Sequence, residues 1–296
     1  MKKRKWITLT LLCIFFAGLS ALLYPAVSSY WNSITQSKVV EDYDEMLKNL
    51  TPADYSDIFD AADDYNERLA ALDFPLNDYA ALSEDYNAAL NVGSDGVMGY
   101  LDIDKLQLKL PIYHTTSDSV LSHAVGHFEG SSLPVGGEST HCILSAHRGL
   151  PSATLFTHLD RMEIGDTFRI TVLDRALIYE VDQIKTVLPT DASELLIVEG
   201  EDYCTLLTCT PYGINTHRLL VRGHRVSSED LRKMNVLSEA YIIDRLIVTP
   251  VVALPILLVL ILYVCFKPIK RAPSFDDPFA GLPDQKHTRK GKRNKP

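Results

Sequence analysis

Cysteine is scarce, at five in 296 residues, too few for a chain of this length to be a disulfide-stapled scaffold. Glycine and proline stand at 15 each, which excludes a collagen-like or low-complexity chain, and 46% apolar content excludes a disordered one. There is no glycine-rich phosphate loop and no convincing cluster of metal ligands, so no cofactor and no metal is expected. His123 and His127 lie four apart but lack a third ligand. Basic residues are few through most of the chain. Between Trp6 and Phe266, 16 Lys/Arg stand against 35 Asp/Glu, a balance that argues against nucleic acid as a partner.

The two ends are different. Lys2 to Lys5 are all basic, and from Lys267 onward nine Lys/Arg face three acids. Just inside each basic end lies a stretch without any charge, Trp6 to Val27 and Leu246 to Phe266. Each is about as long as the ~20 residues a helix needs to cross a bilayer core. Flanking basic clusters then place both termini in the cytoplasm and the acidic middle outside the cell. The first stretch is readable as an uncleaved anchor or as a signal peptide cut near Pro25-Ala26-Val27-Ser28. The second is expected to be an anchor.

The pattern divides the chain into six parts. Residues 1–30 hold the basic end with its anchor or signal peptide, and 31–95 form an acidic helical region. A β-domain follows at 96–226, then a charged link at 227–245, a membrane helix at 246–266 and a basic cytoplasmic tail at 267–296. In the helical region Thr51-Pro52-Ala53-Asp54 reads as a helix start, with Thr51 as cap and Asp54 able to reach back. Ile58, Ala61, Ala62, Tyr65, Leu69 and Leu72 recur at helical spacing. Pro75 ends that helix, and a second, from Asn77 toward Gly93, completes a helical hairpin. From Gly96 the period changes to two. Short strands are expected at 99–104, 106–110, 142–146, 168–173, 177–187, 203–210 and 218–226, with turn residues in the gaps. Many short strands and few helices point to a mainly β fold, a closed barrel.

Among the exported thiols, Cys142, Cys204 and Cys209, the last has distinctive surroundings. An apolar strand ends at Thr208-Cys209, and Pro211 with Gly213 forces a turn directly after. A thiol at a strand end can be exposed and rigidly held, as a nucleophile requires. His217, Arg218, Arg222, His224 and Arg225 follow, and neighbouring cations favour thiolate. On those facts alone a buried Cys acting as a small hydrophobe remains open. A nucleophilic Cys needs a base, and His147 ends its own strand in the same way, before Gly149 and Pro151.

Thr205-Leu206-Leu207-Thr208-Cys209 resembles the Thr-Leu-x-Thr-Cys signature of sortases, the surface transpeptidases of Gram-positive bacteria. Arg218, nine residues later, and His147, 62 residues earlier, fall where that family places its other two catalytic residues. The stretch from Leu144 to Asp160, with Gly96-Val97-Met98-Gly99-Tyr100, Leu110-Pro111-Ile112-Tyr113-His114 and the second apolar segment, is similar to the pilus-assembling class C branch. Ala146 stands where that class usually has Gly, which narrows the backbone freedom before His147. Many class C members carry an Asp-Pro-aromatic lid over the site. Here the nearest sequence is Leu72-Asp73-Phe74-Pro75, and the one Asp-Pro-Phe, Asp277-Pro278-Phe279, lies beyond the second apolar segment. A standard lid is therefore not expected, and an unusual one built on Phe74 is left open.

The resemblance implies a Leu-Pro-x-Thr-Gly-like sorting signal as acyl donor, a thioester on Cys209 and a pilin lysine as acceptor. His147 would exchange the protons, and Arg218 would steady the oxyanion or the substrate carbonyls. Arg222, an even step from Arg218, shares its strand face and is the runner-up, whereas Arg225 lies on the opposite face. A housekeeping sortase that anchors proteins to cell-wall precursor is the alternative. The enzyme would sit in the cell membrane, its catalytic domain extracellular, with pilin subunits and the membrane as partners. Cys142 and Cys204 each lie five residues before a proposed catalytic residue. If their strands run side by side and parallel, the two thiols are neighbours, either as small core residues or as a disulfide.

Overall fold

A computed structural model describes residues 2–73 and 75–227. The membrane helix expected at 246–266, the link and tail around it, and Phe74 lie outside the described residues.

Helix α1 (Lys2–Leu47) runs unbroken across the boundary expected at residue 30. Its two halves do different work. Trp6, Phe16, Leu22 and Trp31 are exposed, and this portion is long and apolar enough to cross a membrane. Farther on, Gln36, Val40, Tyr43 and Leu47 recur every three to four residues and are buried, the stripe of a helix packed on a core. Tyr43 fixes that packing: its hydroxyl donates to the Met98 carbonyl at 3.0 Å and accepts from the Leu173 N–H at 2.9 Å.

Helix α2 (Pro52–Ala70) begins as expected, with Thr51 and Asp54 completing a reciprocal capping box. It ends before Pro75, and its buried stripe is Phe59, Ala62, Tyr65, Asn66 and Leu69. Ile58 and Leu72 pack at the edge of that core, and Phe59 is buried where Ala61 was expected, a small rotation of the helix. Asn66 pairs with the backbone of Leu133, accepting from its N–H at 2.7 Å and donating to its carbonyl at 3.4 Å. The second arm of the hairpin is shorter and irregular, made of α3 (Pro75–Asp78), a 3-10 turn at Tyr79–Leu82 and α4 (Ser83–Ala88).

Eight strands close the expected barrel. They are β1 (Val97–Ile103), β2 (Leu108–Tyr113), β3 (Val125–His127), β4 (Thr140–Ser145), β5 (Thr167–Val172), β6 (Arg175–Val187), β7 (Asp202–Thr210) and β8 (His217–Val226), in spatial order β1-β2-β3-β4-β7-β8-β6-β5. Seven match the expected strands within a few residues, and β3, three residues long, has no counterpart among them. Leu101, Ile103, Leu144, Ile170, Tyr179, Leu206 and Val221 are buried in one core with α1 and α2. Two pairings set the geometry of the barrel rim. β4 lies parallel to β7, with Cys142 opposite Cys204 and Ser145 opposite Leu207, and β7 lies antiparallel to β8, with Cys209 opposite Arg218.

Candidate active site

Alternation along β7 sorts its residues by face. Cys204 and Leu206 point into the barrel core. Leu207 points outward and packs with Ile143, Leu195 and Leu220 in a second cluster, joined by Phe128, Val187 and Leu76 from α3. Cys209, two residues past Leu207, therefore lies on the outer face at the end of its strand, half-buried. Arg218 is its direct partner on β8.

His147 lies two residues beyond β4 and reaches the same level. The Ala146 N–H donates to the Leu207 carbonyl at 3.2 Å, carrying the parallel ladder one step past Ser145. The next step sets His147 beside Cys209, one inter-strand spacing of about 4.8 Å away in backbone terms. Ala146 fits this extended stretch without strain. Its methyl is buried in the core, and its carbonyl accepts from Thr208 Oγ1 at 2.7 Å. After His147 the chain doubles back, so that the Phe156 N–H donates to the His147 carbonyl at 3.1 Å. Gly149 turns this loop at φ +79°, where a Cβ would lie 2.9 Å from the Tyr212 ring. Glycine is required there by both conformation and contact.

The three side chains expected to act together are thus at one end of three adjacent strands. Within the described residues the side chains of Cys209 and His147 are in no hydrogen bond, with each other or elsewhere, leaving both available to a substrate; such contacts often tighten only in a complex. Arg218 donates to the carbonyls of His217 and Asn215 at 3.2 and 3.4 Å and makes no ion pair among the described residues.

The competing arginines are occupied elsewhere. Arg222 faces Thr205 across the ladder, four residues or about 13 Å short of Cys209. Its guanidinium pairs with both Asp182 oxygens at 3.1 and 2.7 Å and lies 4.1 Å over the Tyr203 ring. Arg225 sits near Asp202 and the Tyr179 ring, farther still from Cys209.

A second histidine and cysteine, His141 and Cys142, are adjacent in β4 but point to opposite faces. His141 is buried, with Nδ1–H on the Leu196 carbonyl at 2.8 Å and Nε2 on Thr205 Oγ1 at 2.7 Å. Burial first, then the Arg222 charge, pushes it down to about 4. Cys142 and Cys204 are both buried and both free thiols. They touch each other, and burial with the neighbouring Cys142 sulfur holds the Cys204 thiol well above its ordinary range. His127 is likewise inside, bonded to Tyr86 and the Ser132 carbonyl.

One residue of the site has no signal in the motifs. Arg148 follows His147, yet its side chain is only 8% exposed. It donates to Thr210 Oγ1 at 3.1 Å and to Asp160 at 2.6 Å.

The chain as a whole resembles known proteins. Residues 101–226 match the sortase domain family. The solved sortase C1 of Streptococcus agalactiae is 47% identical, over 64% of this chain and 99% of that one, with a TM-score of 0.62. The solved sortase C of Streptococcus pneumoniae is 42% identical, over 64% and 97%, with a TM-score of 0.57. That of Clostridium perfringens, solved with its C-terminal cell wall sorting motif, is 43% identical over 64% and 99%, with a TM-score of 0.56. Sortase A of Listeria monocytogenes is more distant, 24% identical over 57% of this chain and 74% of that protein. The barrel and these likenesses together make the chain a cysteine transpeptidase of the sortase family, in its class C branch.

Proposed function

We propose that this enzyme polymerises pilin subunits outside the cell: it cuts a Leu-Pro-x-Thr-Gly-like signal between Thr and Gly and passes the acyl group to a pilin lysine. The observation that carries this reading is the pairing of Cys209 with Arg218 across β7 and β8, with His147 on the parallel neighbour. The class C likeness supports the pilin part, as a solved relative is described in terms of pilin substrate specificity.

The chemistry follows from the three groups. Cys209 Sγ, as thiolate, attacks the Thr carbonyl carbon, and Arg218 offers fixed N–H donors to the oxygen that becomes negative. The Thr–Gly C–N bond breaks, and the His147 imidazolium gives its proton to the departing Gly amine. A thioester on Cys209 remains. The lysine amine then attacks it, neutral His147 takes the surplus proton, and the S–C bond breaks to return the thiolate. Ile143, Leu195 and Leu220 form a buried apolar cluster on the outer surface of the sheet, the face that also carries Cys209. Leu76 of α3 rests on that surface.

Membrane attachment supports the same reading. The exposed apolar half of α1 with Lys2 to Lys5 before it fits a barrel held outside the cell, next to the bilayer.

The test uses the full chain in detergent with a signal peptide and a lysine-bearing pilin. Mass spectrometry is expected to find the acyl group on Cys209, and an isopeptide-linked product that forms only when the amine is present. Release of the acid regardless of amine would make the protein a hydrolase instead. Preference for a cell-wall precursor amine would make it a housekeeping enzyme.

A further inference from the structure

We propose that Arg148, held by Asp160, is a positioning residue that sets how closely His147 approaches Cys209 by gripping Thr210. This rests on the roles proposed for Cys209 and His147. The geometry is a clamp with two points. Thr208, just before Cys209, donates through Oγ1 to the carbonyl of Ala146, just before His147, at 2.7 Å. Thr210, just after Cys209, accepts from Nη1 of Arg148, just after His147, at 3.1 Å. The neighbours of the sulfur on both sides are thus tied to the neighbours of the imidazole on both sides. Because side chains alternate, the threonines point away from the face that carries Cys209, and the grip leaves the reactive face clear.

Arginine suits this task. One planar guanidinium spans two acceptors at fixed angles, which a single ammonium does not. Its second point is Asp160, at 2.6 Å from Nη2, at the far side of the returning loop. The same loop is fastened at two more places, the Gly149 N–H on Thr157 Oγ1 at 3.1 Å and the Phe156 N–H on the His147 carbonyl at 3.1 Å. Arg148 does not look like a residue kept for stability alone. Its Nε is buried with no hydrogen-bond partner among the described residues, a penalty that an apolar side chain at this place would avoid. The unsatisfied nitrogen is what remains when both terminal nitrogens are committed to holding two chain segments together.

The experiment compares Thr210→Val, Thr210→Ser, Arg148→Lys and Asp160→Asn in the full-length protein. Two readouts are taken: the pH dependence of Cys209 alkylation, followed on its own peptide by mass spectrometry, and kcat and KM with signal peptide and amine. Thr210→Val keeps the shape and loses the acceptor. We expect it, and Arg148→Lys, to lower kcat about tenfold to a hundredfold with KM changed less than about twofold. The alkylation midpoint moves to higher pH as the cation next to the sulfur is held less well. Asp160→Asn shifts both readouts in the same direction but less, and Thr210→Ser restores both. Unchanged kcat and an unmoved midpoint in Thr210→Val and Arg148→Lys overturn the clamp. So does equal damage in Thr210→Val and Thr210→Ser that follows a loss of melting temperature. Alkylation needs no substrate, so if the wild-type chain transfers nothing, a moved midpoint still supports the clamp and an unmoved one still overturns it.

Discussion

β4 and β7 carry a thiol or imidazole at two levels, and the levels behave oppositely. At the lower one Cys142 faces Cys204, fully inside the barrel and in mutual contact. Five residues on, His147 and Cys209 stand at the rim, half-exposed, their side chains in no hydrogen bond among the described residues. Five is an odd step, and an odd step along a strand reverses the face. Two cysteines in one strand therefore have different fates, decided by parity alone. Inside, burial and the neighbouring Cys142 sulfur hold the Cys204 thiol well above its ordinary range. At the rim the half-exposed sulfur lies on the outer strand face, with Arg218 opposite it on β8.

The largest test of that contrast is removal of the rim sulfur. Cys209→Ala is expected to abolish both acyl-enzyme and product, measured by mass spectrometry and gel, because no other group at the rim can form a thioester. Arg218→Gln comes next, with kcat/KM lower by about a hundredfold or more if its donors act on developing charge. Arg222→Gln on the same strand is the control. It breaks the Asp182 pair, partly exposed, and should cost about 1 kcal/mol of stability, read by urea denaturation, with activity within about threefold. Equal losses in the two variants would mean that general positive charge, and not place, is what the site uses.

A smaller effect sharpens the contrast between buried and exposed imidazoles. His141 is pushed down to about 4 in the folded protein, against about 6.5 when unfolded. The unfolded chain therefore binds the extra proton first. Stability from this residue is fully present above about pH 6.5, is lost as pH falls toward about 4, and changes no further below that, at most about 3 kcal/mol in all. His114, lowered by burial as well, adds to the same slope. Urea midpoints at pH 7, 5.5 and 4.5 should fall steadily in the wild type and less steeply in His141→Gln.

Most of the rim was legible in the sequence, for a specific reason. A nucleophile at a strand end and its turn are local signals, and the Thr-Leu-x-Thr-Cys resemblance adds the two partners at their separations. The barrel was legible too, because period-two alternation survives in strands as long as β6 and β7. β3 was not, since three residues cannot show a period. Nor was the single long α1. Polar residues return from Ser28 and the first charge after Lys5 is Lys38, but a helix continues through such a change when its buried stripe keeps the same spacing, as Gln36, Val40, Tyr43 and Leu47 do. The grip of Arg148 on Thr210 was invisible because nothing about an Arg beside a His announces which oxygen it will reach.

The smallest expected effect returns to the lower level. Cys204→Ala removes one buried sulfur from a packed site and should cost about 1–2 kcal/mol in urea denaturation. Transpeptidation should stay within about twofold, because the rim lies about 17 Å farther along the strand and is fixed by its own hydrogen bonds at Ala146 and Arg148. Changing Cys142 as well should add no further loss of activity. A large drop in kcat with the fold intact would mean that the spacing of β4 and β7 is set from inside the barrel and passed to the rim. The two levels would then be one device, and the threonine and arginine contacts its consequence.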